Sequence, residues 1–338
     1  MTDANPVLVE VTRGGMVESR HRGAVAVVDA LGKIIFSVGD VAAPVYARSS
    51  AKPLQALPLV ETGAADAFGY GDIQIALSCA SHNGEAEHVE QVSRMLQRIG
   101  LDGDALECGI QLPDREIAFR PLIENGIAPR RIHNNCSGKH AGFLSTAIHM
   151  KEDHHGYIHD GHPTMDRVTR AMREMTGETP EAAPCGIDGC GIPVVGFSLL
   201  GWAQGMARLA NPEGLAPERA AAAKRIVRAM TEEPFYVAGR ERFCTQVMKI
   251  VRDRAAIKTG AEGVFAGAFP GLGIGVAIKI DDGASRAAEC AMGAVMRRYG
   301  IIDGDNIDRL RDIIEPPVLN REKLVCGQIR PAAGWLDG

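Results

Sequence analysis

The sequence has few aromatic residues, no long apolar run and no excess of basic charge. Phe, Trp and Tyr make up 5% of its 338 residues, which favours packing by small side chains over an aromatic platform for a ligand. The formal net charge is −5 and the basic residues are scattered along the chain. We therefore expect no nucleic-acid partner, because nucleic-acid binding requires a concentrated basic surface.

The longest apolar run, from Ile192 to Ala203, is too short to cross a bilayer. Residues 1–6 contain no basic segment followed by an apolar stretch, so no secretory signal is visible. We expect a cytoplasmic protein that binds no membrane. In a reducing cytoplasm its eight cysteines would be core residues, metal ligands or reactive thiols before they would be disulfides.

Hydrophobic and charged residues make up 46% and 23% of the chain, and glycine is abundant, as in an ordinary globular enzyme. Runs rich in β-branched residues near both chain ends predict strands, and the middle of the chain shows helical periodicity. The predicted strands cover residues 7–12, 23–29, 33–38, 256–260, 263–268 and 273–280. The predicted helices include residues 49–63, 85–99, 164–175, 194–209, 217–230 and 284–299.

No internal repeat or low-complexity linker interrupts this order, so residues 1–338 are predicted to form a single domain. The predicted fold class is α/β of the α+β type. Its antiparallel sheet would be built from about residues 1–48 and 254–300, and a helical insertion of about residues 49–253 would separate the two halves. The helix at residues 284–299 would close the fold.

Three short motifs carry the candidate chemistry, in the order Ser49-x-x-Lys52, Ser81-x-Asn83 and Lys258-Thr259-Gly260. A serine becomes a nucleophile when a base takes its proton, and a lysine becomes such a base when burial or a second cation lowers its pKa. Ser81 and Asn83 would supply a hydroxyl and an amide that hold Lys52 and the substrate. Lys258 would present a cation to an anionic substrate. The order of motifs is similar to that of serine β-lactamases and penicillin-binding proteins.

The position of Pro53 bears on where Ser49 lies. Residues i and i+3 are neighbours on one face of a helix, so Ser49 and Lys52 could meet. Proline is tolerated in the first turn of a helix, so Pro53 predicts a helix that begins near Ser50. Ser49 would then lie at the helix N-terminus, where the positive end of the dipole favours an anion.

A second cluster combines thiols with candidate nitrogen ligands, in two segments: Cys136, Lys139 and His140, then Cys185 and Cys190 in a glycine-rich loop at residues 183–193. Zinc takes sulfur and nitrogen ligands tetrahedrally, so this set is a candidate zinc site. Because no paired Cys-x-x-Cys is present, the spacing leaves a second interpretation open, in which these are small buried side chains.

Residues 151–163 form a polar stretch with four histidines, His154, His155, His159 and His162. Histidine clusters can bind metal, but this irregular spacing in a charged segment is more typical of a solvated turn. We expect a turn here rather than a metal site.

Together with their neighbours, these motifs closely resemble the rhizobial-type, or class 3, L-asparaginases. The segments that carry the resemblance are residues 48–55, 81–84, 134–142, 188–193 and 258–260. The resemblance extends from about Val7 to Tyr299. It implies a fold related to serine β-lactamases and glutaminases, a homodimer, and hydrolysis of L-asparagine to L-aspartate and ammonia.

The resemblance also implies roles for individual residues. Two Ser-Lys tandems would be Ser49 with Lys52 and Ser81 with Lys258. The implied zinc ligands are Cys136, Lys139 and Cys190, with water in the fourth position, whereas residue chemistry by itself favours His140 or Cys185 over the lysine. Neighbours of the active site in this family fall at Arg48, His140 and Asp188.

The sequence thus predicts an amidohydrolase domain with L-asparaginase activity that proceeds through an acyl-enzyme. Ser49 would attack the side-chain amide, Lys52 would take its proton, and Ser81 and Lys258 would relay protons or hold the water of the second step. Zinc (Zn²⁺) would be structural or would orient the substrate. The alternatives are a glutaminase, a β-lactamase or peptidase, a zinc-dependent amidohydrolase and a catalytically silent ligand sensor.

Overall fold

The computed structural model describes residues 5–179 and 183–336. Its strands are β1 (Val7–Arg13), β2 (Met16–Asp29), β3 (Ile34–Val38), β4 (Pro44–Tyr46), β5 (Cys185–Ile187), β6 (Pro193–Ser198), β7 (Ala256–Thr259), β8 (Val264–Phe269), β9 (Ile274–Ile280), β10 (Pro317–Leu319) and β11 (Val325–Pro331). Short 3₁₀ turns connect several elements, and one of them, Arg48–Ala51, precedes the first helix.

The helices of the first half are α1 (Lys52–Gln55), α2 (Leu57–Glu61), α3 (Ala64–Ala67), α4 (Asp72–Ser78), α5 (Ala86–Arg98), α6 (Glu116–Glu124) and α7 (Ser137–Met150). Those of the second half are α8 (Pro163–Thr176), α9 (Leu199–Ala210), α10 (Pro217–Glu232), α11 (Pro234–Ala238), α12 (Phe243–Val251), α13 (Ser285–Arg298) and α14 (Gly304–Ile314).

Eight of the described strands form one antiparallel sheet in the order β10-β11-β1-β2-β9-β8-β7, with β3 paired to β2. Strands from the two chain ends are therefore neighbours at its centre, where β2 pairs with β9 from Gly23 opposite Ile280 to Asp29 opposite Ile274. The chain leaves this sheet after β3 and returns to it at β7, and the described residues between these strands are mainly helical, with the short strands β4, β5 and β6 among them. The predicted architecture, an antiparallel sheet from both chain ends with a helical middle, is confirmed.

Helices cover both faces of this sheet. A Cβ at Gly275 in β9 would lie 2.1 Å from the Ala203 carbonyl oxygen, so this position faces α9 and has room only for glycine. A Cβ at Gly267 in β8 would lie 3.5 Å from the Met292 side chain, so this position faces α13. Gly267 is opposite Val276, and successive strand residues point to opposite faces, so α9 and α13 lie on opposite faces.

The structure differs from the predicted elements in several regions, and residues 193–198 are one of them. Residues 193–198 form β6, which pairs with β4 and β5 in a separate three-stranded sheet, where a loop and the start of a helix were predicted. The helix starts only at Leu199, because the Ser198 hydroxyl caps it by accepting a hydrogen bond from the Gly201 N–H. The β-branched pair Val194 and Val195 suits the preceding strand.

The main sheet also continues past residue 300, where the prediction ended it. After α13 the chain adds α14 and then β10 and β11; β11 pairs with β1, and β10 pairs with β11 and forms the edge of the sheet. β11 is partly exposed and includes Gln328 and Arg330, so its sequence lacks the apolar run of a central strand. Among the described helices, none is long and apolar enough to cross a membrane.

Candidate active site

Three segments that are distant in the sequence meet at one cavity of about 320 Å³. Its lining includes Ser49 from the turn Arg48–Ala51, Ser81 and Asn83 from the loop between α4 and α5, and Thr259 at the end of β7. The cavity therefore contains elements of all three predicted motifs.

The prolines determine the local structure around Ser49. α1 begins at Lys52 with Pro53 in its first turn, and the preceding Arg48–Ala51 is a 3₁₀ turn, as the position of Pro53 led us to expect. The predicted helix to residue 63 is interrupted at Ala56, since Pro58 cannot donate the next backbone hydrogen bond and instead lies in the first turn of α2. Ser49 is thus outside α1 and half-buried.

Ser81 lies between two buried lysines. Lys52 Nζ donates hydrogen bonds to Ser81 Oγ at 2.8 Å and to the Ala80 carbonyl oxygen at 2.6 Å. Lys258 Nζ is 3.0 Å from the same Oγ. All three side chains are less than a tenth exposed. The Ser81 hydroxyl can therefore pass a proton from one lysine to the other.

Ser49 is placed differently from Ser81. Its hydroxyl lines the cavity, but within the described part of the chain it makes no hydrogen bond, to Lys52 or to any other residue. The structure therefore joins Ser81 to Lys258 and to Lys52 through side-chain hydrogen bonds, whereas Ser49 and Lys52 are joined only through their backbones, by the Lys52 N–H and the Ser49 carbonyl oxygen. Ser49 lies in the 3₁₀ turn before α1 begins, and its side chain lines the cavity.

The surroundings of Lys258 favour its neutral form, which can act as a base. Burial lowers its pKa to about 7, and the charge of Lys52 acts in the same direction. A substantial fraction of Lys258 is therefore neutral near pH 7, which is what a proton acceptor needs.

Gly260 sets how closely β7 approaches the Ser49 turn. A Cβ at Gly260 would lie 2.6 Å from the Ala47 carbonyl oxygen and 3.2 Å from the Ser50 nitrogen. Contacts this short leave no room for any other residue. Because Gly260 has no side chain, β7 and the Ser49 turn can lie close enough together to form the cavity wall.

The amide of Asn83 is largely occupied by protein groups. Its Nδ2 donates to Glu85 Oε1 at 3.0 Å and to the Arg240 carbonyl oxygen at 3.1 Å, and its Oδ1 accepts from Arg242 at 3.2 Å. Asn83 lines the cavity and was predicted to bind substrate. These bonds also give it a structural role, which is to fix Arg242 beside Ser81.

The thiol cluster lies directly behind Ser81. Cys136 precedes the first turn of α7, in which Lys139 lies, and Lys139 Nζ is 3.0 Å from Cys190 Sγ. Lys52 Nζ is 3.1 Å from Cys136 Sγ, so Lys52 joins the thiols to Ser81. All of these side chains are buried.

The three candidate metal ligands differ in their protonation states. A hydrogen bond from the Cys136 thiol, together with the charge of Lys139, lowers the pKa of Cys190 to about 5 despite its burial. The same hydrogen bond and burial raise the pKa of Cys136 to about 12. Burial would lower the pKa of Lys139, but the two sulfur atoms raise it. Cys190 is thus a preformed thiolate, whereas Cys136 and Lys139 would each have to lose a proton before the three residues present the sulfur and nitrogen donors that zinc accepts.

His140 adds an unpaired buried atom beside this donor set. Its Nδ1 is 2.7 Å from the Tyr157 hydroxyl, which itself accepts a hydrogen bond from the Glu107 N–H at 3.0 Å. The Tyr157 proton then goes to Nδ1, which leaves the His140 proton on Nε2. Nε2 is buried and has no partner among the described residues. Burial and the neighbouring Lys139 lower the pKa of His140 well below its usual value, so a neutral N–H donor is left for a ligand.

Arg48 and Asp188 form an ion pair, with Arg48 Nε 2.5 Å from Asp188 Oδ1. Arg48 has a left-handed backbone with φ of 51°, which is uncommon for a residue other than glycine and is often found at functional sites. Burial would raise the pKa of Asp188, but Lys139 and Arg48 lower it below the usual range. The pair links the Ser49 turn to the segment that carries Cys190.

The remaining candidate metal ligands are elsewhere. Cys185 is exposed on β5, so its thiol is not part of the buried cluster. Among the described His, Cys, Asp and Glu residues, one group of three could reach a common ion: Asp153, His154 and His155. It is on a largely exposed turn, where Asp153 accepts hydrogen bonds from His155, in agreement with the expected solvated turn.

Several cavity residues were not found from the sequence. They are Gln111, Arg115, Asn135, Arg242 and Glu289. The sequence nevertheless distinguishes Glu289, which is the one acidic residue of α13. Its neighbours Ala287, Ala288, Cys290 and Ala291 are all buried. A carboxylate within so apolar a run calls for a partner or a function.

Sequence comparison supplies a family for this arrangement. The model of a family described as L-asparaginase II matches residues 9–331, which is nearly the whole chain. The comparison with curated proteins gives no match.

Several solved structures match this chain at low sequence identity. A β-lactamase from Mycobacterium bovis is 15% identical, with 82% of this chain and 94% of that chain covered and a TM-score of 0.41. A protein named Mglu, in its native form, is 16% identical over 85% of this chain and 67% of that one, with a TM-score of 0.46. A putative β-lactamase from Bacteroides dorei is 10% identical over 76% and 84%, with a TM-score of 0.35. At these scores the likeness carries no argument about activity.

Proposed function

Because the chain belongs to the L-asparaginase II family, we propose that it hydrolyses the side-chain amide of L-asparagine to L-aspartate and ammonia. The observation that carries this proposal is the buried array Lys52–Ser81–Lys258 beside a cavity lined by Ser49. Partly neutral Lys258 can accept a proton from Ser81, and this transfer lets Lys52 become the base that activates Ser49 for acyl transfer from an amide.

The proposed reaction begins with a proton moving along this array. Lys52 gives a proton to Ser81, and Ser81 gives its own to neutral Lys258. Lys52 can then accept the proton of Ser49 as the Ser49 oxygen attacks the amide carbon. The C–N bond breaks, the nitrogen leaves as ammonia with a proton from Lys52, and an ester with Ser49 remains. Water, activated by the same lysines, cleaves that ester to aspartate and free Ser49.

The residues Cys136, Lys139 and Cys190 would hold a zinc ion, for which their donors fit. When bound, the ion would supply a positive charge behind the catalytic cluster and would link α7 to the loop of Cys190. Its role would then be to support the geometry or to orient the substrate. Arg48, His140 and Asp188 border this donor set, and we propose that they help to position the substrate.

We also retain the homodimer and the cytoplasmic location as proposals. The homodimer rests on the resemblance to class 3 L-asparaginases. The eight cysteines, all of them free thiols, support a reducing compartment.

The first prediction concerns the substrate. The purified protein is expected to release ammonia from L-asparagine with a kcat/KM at least about tenfold higher than from L-glutamine, since one added methylene moves the amide away from the nucleophile. A coupled ammonia assay on both amino acids, together with a chromogenic β-lactam, measures this. A higher kcat/KM for L-glutamine would make the enzyme a glutaminase, and opening of the lactam ring a β-lactamase.

The second prediction concerns zinc. We expect about one zinc ion per chain in the purified protein, and Cys190→Ser should lose at least about tenfold in zinc affinity because a thiolate ligand is removed. Elemental analysis and competition with a chromogenic chelator measure both. Cys185→Ser is the matched control, since its thiol is exposed and outside the cluster. Complete loss of turnover on chelation would favour the zinc-dependent hydrolase instead.

A further inference from the structure

Glu289 is an acidic side chain in the wall of the catalytic cavity that the proposed reaction does not use. It lies on α13 four residues after Ser285, which lines the same cavity, so both side chains are on one face of the helix. The buried residues of α13 are all small or apolar. The helix therefore brings a single carboxylate to this wall.

The Glu289 carboxylate makes no hydrogen bond or ion pair with any residue in the described part of the chain, although it is partly buried. A carboxylate in such a place is costly unless a cation or donor compensates it. Burial raises the pKa of Glu289, and the charges of Arg242 and Arg115 act in the opposite direction. These two arginines share the cavity wall with it.

Arg242 connects Glu289 to the reacting groups. Its guanidinium donates to the Ser81 carbonyl oxygen at 3.4 Å and to Asn83 Oδ1 at 3.2 Å. The charge of Arg242 also lowers the pKa of Lys258. A guanidinium has five N–H groups, so Arg242 can bind an anion in the cavity while it keeps both protein contacts.

The cavity thus presents two guanidiniums beside the catalytic lysines, together with two carboxylates that have no partner among the described residues: Asp114, which is exposed, and Glu289, which is partly buried. An amino-acid substrate carries one ammonium and one carboxylate on its α-carbon, which is the complementary charge pattern. We propose that Glu289 binds the α-ammonium group of the substrate and that Arg242 binds its α-carboxylate. This inference rests on the proposed function and adds the residues that would select an α-amino acid over an amide that lacks the amino group.

The test compares L-asparagine with succinamic acid, which is the same amide without the α-ammonium group. Glu289→Gln keeps the size of the side chain and removes its charge. We expect kcat/KM for L-asparagine to fall about 100-fold, since a charged hydrogen bond is lost. The value for succinamic acid should stay within about threefold, so the preference between the two substrates collapses.

Glu233→Gln is the matched control. Burial raises the pKa of Glu233 as it does for Glu289, but Glu233 lies at the start of α11 and outside the cavity lining. This substitution should leave kcat/KM unchanged for both substrates. An equal loss for both substrates in Glu289→Gln would make Glu289 a structural residue, and no change for either would also overturn the assignment.

A measurement of product binding tests this inference independently of the proposed function. Calorimetric titration with L-aspartate and with succinate measures the contribution of the α-ammonium group without any turnover. We expect the wild-type protein to prefer L-aspartate and Glu289→Gln to lose that preference. If the wild type releases no ammonia from L-asparagine, the proposed function fails, yet this result would still support Glu289. A wild type without the preference overturns the role of Glu289 by itself.

Discussion

Lys258→Met is expected to lower kcat for amide hydrolysis at least about 1,000-fold. Methionine fills the buried volume of the lysine, but it cannot accept the proton of Ser81. Because the pKa of Lys258 is about 7, kcat/KM of the wild type should rise as the pH increases from about 6 to 8, when this lysine loses its proton. The residual activity of the variant should lack this rise. Steady-state rates of ammonia release over that pH range measure both effects.

Lys279→Met is the control for this substitution. Lys279 is a partly buried lysine of β9 whose pKa is also lowered by burial, but its Nζ donates to the Glu262 and Ile280 carbonyl oxygens and it does not line the cavity. It should retain near-normal activity. If Lys258→Met kept more than about a tenth of wild-type activity, the role of Lys258 as proton acceptor would be wrong.

The stability of Lys258→Met shows whether a fall in its activity comes from the missing proton acceptor or from unfolding. The pKa of Lys258 falls from 10.5 to about 7 on folding, so between these values the unfolded chain binds more protons than the folded one. The free energy of unfolding of the wild type therefore increases with pH over this window, through this group. At pH 7 and below, the folded wild type contains a charged lysine in a buried place, and Lys258→Met should be more stable. Thermal unfolding of both proteins at pH 6 and pH 9 measures the difference.

The second large effect is expected at the two serines. Ser49→Ala and Ser81→Ala should each lower kcat at least about 1,000-fold, but for different reasons. Ser49→Ala removes the nucleophile, so no acyl-enzyme should form. Ser81→Ala interrupts the proton path between Lys52 and Lys258, so an adduct on Ser49 should form slowly and persist. Mass spectrometry of acid-quenched reactions identifies the modified residue.

Ser50→Ala is the control for these variants. The Ser50 hydroxyl is buried and donates to the Ala47 carbonyl oxygen at 2.7 Å, so it supports the turn and does not line the cavity. Its loss should cost about 1 kcal/mol of stability and leave the adduct on Ser49. An adduct found on Ser81, or one that accumulates in Ser49→Ala, would reverse the roles of the two serines, since both lysines already bind Ser81.

Much of this site was readable from the sequence because its chemistry is carried by short motifs. Ser49, Ser81 and Lys258 line or border one cavity, and Cys136, Lys139 and Cys190 lie together behind it. The resemblance to L-asparaginases also depended on short segments of sequence, and the family match over residues 9–331 confirms it. The signal of Pro53 was also local, since a proline in the first turn places the start of a helix whatever the rest of the chain does.

The strands beyond residue 300 and the small sheet of β4, β5 and β6 could not be recognised in the same way. Edge strands and three-residue strands are held by the neighbours with which they pair, and their own side-chain pattern is weak. The pairing of β11 with β1 joins residues more than 300 positions apart. No local periodicity reports such a contact.

The same distinction holds at Ser49, Lys52 and Ser81. The sequence by itself determined which residue types carry the chemistry, because a nucleophile, a base and thiolate ligands are properties of side chains. Only the tertiary structure decided that the Ser49 hydroxyl makes no hydrogen bond to Lys52, and that Arg242 and Glu289 complete the cavity. The physical reason is that partners and pKa values depend on burial and on charges brought together by packing, and Lys258 has a pKa of about 7 only because folding buries it beside Lys52.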